Sequence, residues 1–157
     1  MSKNAITPLF ICLANVWRSQ IAEGLYNHIH WEWASFSCAW WEARKTTPEY
    51  KWRPATGIIE LMKDQAWIDI SHQRIKYLSD LWVNILARVN RVVFLVKEPE
   101  KMICEEDCKY DWLTPYEYLK SHGFIISAHE IIDPNLTSQT DWVKIFKSIK
   151  DVVENKI

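Results

Sequence analysis

The 157 residues are 48% hydrophobic and 25% charged with a formal net charge of -1, which suits one globular domain with its own core. No Lys/Arg block offers an electrostatic footprint for nucleic acid or an anionic membrane, and no apolar stretch is long enough to span a bilayer. Four unevenly spaced cysteines, Cys12, Cys38, Cys104 and Cys108, argue against a disulfide framework, and with no secretory signal pattern at the N-terminus they predict a reducing cytoplasm.

Leu9 to Leu13 is a short continuous apolar run, as expected of a strand buried on both faces of a parallel sheet. From Arg18 to about His30, Ile21, Ala22, Leu25 and Ile29 recur at helical spacing, so a helix starts directly after a short loop. Trp33 to Cys38 reads as a second strand, and Trp40 to Arg53 as a loop. A helix follows from Pro54 through Ile58, Leu61, Met62 and Ala66, then a short one over Leu78 to Leu86. Arg91 to Val96 predicts a third strand, Pro99 to Cys108 a charged helix, Phe124 to Ile132 a fourth strand, and Trp142 to Val153 a final amphipathic helix. Alternating strands and helices imply an α/β fold, with the loops after Leu13, Cys38, Val96 and Ile132 on one rim where ligands bind.

Ten tryptophans stand beside three glycines, where glycine averages about 7% of residues. Turns must therefore be made without glycine, which predicts local strain wherever the backbone needs positive φ.

Cys12-Leu13-Ala14-Asn15-Val16-Trp17-Arg18-Ser19 places a cysteine and an arginine five residues apart between a buried strand and a helix N-terminus. Backbone N–H groups and the helix dipole converge there, favouring a phosphate or similar oxyanion. The same field stabilises a thiolate and makes Cys12 a competent nucleophile. Arg18 supplies a planar fork for two phosphate oxygens. Leu13, Ala14, Val16 and Trp17 complete the cradle, Ser19 can donate to the thiolate, and Asn15 can hold the loop closed. A departing alkoxide or phenolate needs a proton, and Asp133, stiffened by Pro134 after the last strand, is the expected acid. Neither metal nor cofactor is called for.

The segment FICLANVWRSQIAEG resembles the signature of the low-molecular-weight protein tyrosine phosphatases. MKDQAWIDISHQR is similar to that family's Gly-Ile-x-x-Ser-His stretch, and IIDP to its general-acid loop. The resemblance implies a single domain, residues 1–157, with a four-stranded parallel sheet flanked by helices on both faces. It implies Cys12 as nucleophile, Arg18 as phosphate ligand, Asp133 as acid, and Asn15, Ser19 and His72 as a supporting network. Expected partners are a phosphorylated protein or a small aryl phosphate, with phosphate or vanadate as inhibitory oxyanions. Three departures stand out: Ala14 occupies a usual glycine of the loop, Trp67 precedes Ile68 where Gly-Ile is common, and Trp40-Trp41 follow the second strand. A left-handed Ala14 would cost about 1 kcal/mol, and Trp67 threatens a helix C-cap. Trp40 and Trp41 could wall an aryl pocket, though loop tryptophans more often pack.

Two other functions compete. An arsenate reductase of the same fold resolves its adduct with further cysteines, and Cys104 and Cys108, four apart, could serve; against this, the position that closes the third strand with cysteine in that reductase is about Val96 here. A non-catalytic phosphate-binding protein would need neither the thiolate of Cys12 nor the acid of Asp133.

Overall fold

The chain is described by a computed structural model covering residues 5–13, 15, 17–31, 33–40, 53–81, 83–102, 112–131 and 139–157. In chain order the elements are β1 (Pro8–Cys12), α1 (Arg18–Ile29), β2 (Phe36–Ala39), α2 (Thr56–Ala66), α3 (Val83–Leu86), β3 (Arg91–Phe94), α4 (Pro115–Ser121), β4 (Ile126–Ala128) and α5 (Gln139–Asn155). Four parallel strands form one sheet in the order β2-β1-β3-β4, with Cys12 paired to Ala39 and Ile11 to Phe94.

Strand residues alternate between two cores, as the two-residue period of a strand requires. Phe10, Cys12 and Val93 face one side, where Ile21, Met62 and Ile149 bring in α1, α2 and α5. Leu9, Ile11, Val92 and Phe94 face the other, against Leu78, Leu81 and Leu119. Helices therefore cover both faces, and the apolar runs read as strands are buried from Leu9 to Cys12 and from Val92 to Leu95. Gly24 allows α1 to approach the turn at Ile70, since a Cβ there would lie 2.6 Å from Ile70 Cγ2.

Several boundaries differ from expectation. β2 begins at Phe36 because Trp33 takes φ 67° in a turn closed by Ala34 N–H donating to Trp31 O at 3.0 Å. The fourth strand shrinks to three residues, and the helix expected over Leu78 to Leu86 splits into a 3-10 turn, Leu78–Asp80, and α3. Of the segment from Pro99, the described residues run to Met102 and hold a 3-10 turn, Pro99–Lys101; Cys104 and Cys108 lie outside them. Helix α4 went unanticipated although its sequence announces it: Thr114 and Glu117 form a reciprocal capping box, with Pro115 opening the helix. The C-cap at Trp67 does form. Its residue adopts the left-handed conformation, φ 60° and ψ 31°, and the Trp67 and Ile68 amides return to Lys63 O and Met62 O. Among the described residues, no helix is long and apolar enough to cross a membrane.

His129, just past β4, donates its backbone amide to Phe94 O at 2.8 Å, while its Nε2 is buried without a partner. Burial holds its imidazole below the usual range, and Lys156 acts in the same direction. The unfolded chain then binds the proton more readily, so stability falls as pH drops through about 6.5. Urea melts between about pH 7 and pH 5 check this: His129→Gln should flatten the acid limb, and an unaltered limb would remove His129 as its source.

Candidate active site

The strand order reverses its direction of growth at β1, which places the carboxyl end of β1 at the crevice where parallel sheets of this type hold ligands. Cys12 ends β1 there and is nearly buried. The neighbouring segments are stitched to it: Trp40 N–H donates to Cys12 O at 2.7 Å and Leu95 N–H to Ile11 O at 2.9 Å. Helix α1 begins six residues after Cys12, so Arg18 and Ser19, both buried, occupy its first turn.

Asn15 is the pivot of the loop. It is fully buried and takes φ 55°, a conformation that asparagine tolerates better than most residues. Asn15 is left-handed, and Ala14 and Val16 lie outside the described residues. Asn15 Oδ1 accepts the backbone N–H of Lys76 at 2.8 Å. A backbone amide can only donate, so this bond fixes the orientation of the Asn15 amide. Its Nδ2 then donates to Ser19 Oγ at 2.7 Å and to Ser37 Oγ at 2.9 Å. Ser37 donates to Glu23 Oε2, which also receives Lys76 Nζ at 3.2 Å. Ser19 Oγ, already accepting from Asn15, lies 2.9 Å from Cys12 Sγ with its own proton free for the sulfur. A sulfur without its proton could only accept from Ser19 at this distance.

Arg18 is anchored across the rim. Its Nη1 donates to Leu95 O at 3.2 Å and to Ile131 O at 2.9 Å, tying the residues after β3 and β4 to the start of α1. Trp17, half-buried, stacks edge-on against Trp142 with ring centroids 6.1 Å apart, and Leu13, next to Cys12, is half-buried. Trp40 belongs to the core, edge-on to Phe94 at 5.5 Å, rather than to a pocket wall; Trp41 is outside the described residues.

The structure brings Cys12, Asn15, Arg18 and Ser19 together and leaves His72 apart. The His72 side chain is exposed, and its carbonyl accepts Arg74 Nη1 at 3.0 Å. Its anticipated place is taken by Gln20, Ser37, Glu23, Gln73 and Lys76. Gln20 and Glu23 carried a local signal, being polar residues inside the quoted motif on a helix buried nearly all round its first half. Ser37 and Lys76 carried none. Asp133 falls outside the described residues, two positions beyond Ile131.

Cys38 lies on β2 opposite Ile11 and faces the other core from Cys12. Complete burial pushes its thiol well above the usual range. It is neither activated nor aimed at the loop.

No protein-family model and no curated protein matches this sequence. Solved structures do match along nearly its whole length. Wzb of Vibrio vulnificus in complex with benzylphosphonate has a TM-score of 0.68 at 14% identity, covering 96% of this chain and 95% of its own. A low-molecular-weight protein tyrosine phosphatase from T. tengcongensis gives 0.60 at 21% identity, with 94% and 95% covered. An arsenate reductase in a phosphate-binding state gives 0.65 at 21% identity, with 96% and 95% covered. The chain has the fold shared by low-molecular-weight phosphatases and arsenate reductases.

Proposed function

We propose that the protein is a cysteine-dependent phosphatase that hydrolyses phosphotyrosine or other aryl phosphate monoesters through a phosphocysteine intermediate. The observation that carries this is the 2.9 Å contact between Ser19 Oγ and Cys12 Sγ, held by Asn15 at the sheet's ligand-binding end. In this reading the Cys12 thiolate attacks phosphorus in line and the ester oxygen leaves with a proton from Asp133. Arg18 and the loop amides hold the equatorial oxygens, whose charge they stabilise in the transition state. Water, deprotonated by Asp133, then cleaves the sulfur–phosphorus bond and releases phosphate and the free thiolate. Phosphate and benzylphosphonate held by two proteins of the same fold are consistent with such an oxyanion site.

Asp133→Ala should slow hydrolysis of alkyl or other poor leaving groups by about 10²–10⁴ while sparing good ones such as p-nitrophenol. Equal losses on both would count against its acid role.

Arsenate reduction is the second reading, favoured by the reductases among the similar structures and by Cys104 and Cys108. Against it, Phe94, Leu95 and Val96 close the third strand without a thiol, and Cys38 faces away from Cys12. Hydrolysis of p-nitrophenyl phosphate, blocked by vanadate and measured beside thiol-dependent arsenate reduction, separates the two. Arsenate turnover requiring Cys104 or Cys108 would overturn the phosphatase reading, and silence in both assays would leave a phosphate-binding protein.

A further inference from the structure

We propose that Gln20 and Gln73 form a buried amide pair that positions the nucleophile loop. Gln20 is fully buried and Gln73 nearly so. Gln20 Nε2 faces both oxygens of Asn15, the carbonyl and Oδ1, each at 3.0 Å, and the Arg74 carbonyl at 2.9 Å. Gln73 Nε2 in turn donates to Gln20 Oε1 at 2.6 Å and to Gln20 O at 3.0 Å. Gln73 thereby sets the orientation of Gln20, and Gln20 fixes the backbone and the side chain of the left-handed residue that directs Ser19 at the sulfur. Neither glutamine touches Cys12; both act through Asn15.

This role rests on Cys12 being a reactive thiolate, so its test reads the thiol directly as well as turnover. The iodoacetamide alkylation rate of Cys12 across pH, and vanadate affinity, are measured for wild type, Gln20→Met, Gln73→Met and the double variant. Methionine keeps the volume and removes the donors. Gln20→Met should shift the alkylation profile to higher pH and weaken vanadate about fivefold, the equivalent of one neutral hydrogen bond. Because Gln73 works through Gln20, the double variant should be no worse than Gln20→Met alone. An unmoved alkylation profile, or additive losses, would overturn the proposal. If wild type lacks hydrolysis yet its alkylation profile moves with Gln20, the phosphatase reading fails and the positioning role stands.

A different observation carries a second inference: we infer that the cell producing this protein inserts glycine at positions 33, 67 and 112. Four non-glycine residues among those described have positive φ, and three are tryptophans: Trp33 at 67°, Trp67 at 60° and Trp112 at 66°. Asparagine, at Asn15, is the ordinary substitute there; an indole is not. Trp33 is the third residue of a turn whose first and fourth residues, Trp31 and Ala34, are hydrogen-bonded, the place where a positive φ calls for glycine. Trp67 is the left-handed residue ending α2, again a glycine position.

None of the three recovers its strain by packing, being 57%, 93% and 83% exposed. Tryptophans at the core fit no better, for Nε1 of half-buried Trp17 and of buried Trp40 is enclosed without a hydrogen-bond partner. Ten tryptophans and three glycines invert the usual proportion. One codon accounts for this, since UGA is read as stop, tryptophan or glycine in different genetic codes.

The test is mass spectrometry of peptides spanning the three positions, from protein isolated from its natural source, beside the codons of the gene. Glycine masses at UGA codons are expected; tryptophan masses, or UGG codons, would overturn the inference. Independently, the triple variant Trp33→Gly, Trp67→Gly, Trp112→Gly should raise the thermal midpoint by about 2–4 °C per site. A midpoint no higher than that of the tryptophan form would remove the strain on which the inference rests.

Discussion

Cys12→Ser is expected to abolish p-nitrophenyl phosphate hydrolysis, with kcat lower by at least about 10⁴-fold, the scale on which loss of a covalent nucleophile is felt. A serine hydroxyl stays protonated at neutral pH, and among the described residues of the loop none is placed as its base: Ser19 is a hydroxyl, and Asn15 supplies donors to Ser19 and Ser37. The fold should hardly register the change, because the oxygen can keep the bond to Ser19 in the same pocket. Vanadate affinity and the urea midpoint should therefore change far less than kcat. Residual turnover within about tenfold of wild type would mean that another residue attacks phosphorus.

Arg18→Lys is the second large effect, and it should be felt twice. A lysine presents one nitrogen where the guanidinium presents a rigid fork. Arg18 Nη1 is already committed to Leu95 O and Ile131 O, so the remaining donors are held in a fixed plane by the anchor. A lysine could reach the carbonyls or an anion, not both. We expect kcat to fall about 10²–10³-fold, as when one preorganised donor to a developing oxyanion is lost. Stability should also fall, by about 1–3 kcal/mol, for buried carbonyls left without their partner. Steady-state kinetics and urea denaturation on one preparation measure both. Lost activity with full stability would mean that the anchor to the rim is dispensable.

Much of this was legible in the chain. Apolar runs at Leu9–Leu13 and Arg91–Val96 and helical spacing after Arg18 rest on local periodicity, which survives without tertiary information. The α/β class followed from the alternation of strands and helices, and the four-stranded parallel sheet with helices on both faces, implied by the family resemblance, is the one observed. The glycine shortage also pointed correctly to positive φ at non-glycine residues: Trp67, which the sequence singled out, and Trp33 and Trp112, which it did not.

What the sequence did not disclose is which distant groups complete the site. Ser37 and Lys76 reach Asn15 from 22 and 61 positions away, and Arg18 finds Ile131 across 113. Such partners depend on strand register, and a one-residue slip would turn every side chain of β2 to the opposite face. For the same reason His72, whose segment looked right, ends exposed, while its neighbour Gln73 turns inward to Gln20. The sequence by itself determined most of the elements and the short loop that joins Cys12 to Arg18, because both are written within a few residues. Only the tertiary structure decided what holds Asn15 and Arg18, because those bonds join segments whose proximity no local pattern encodes.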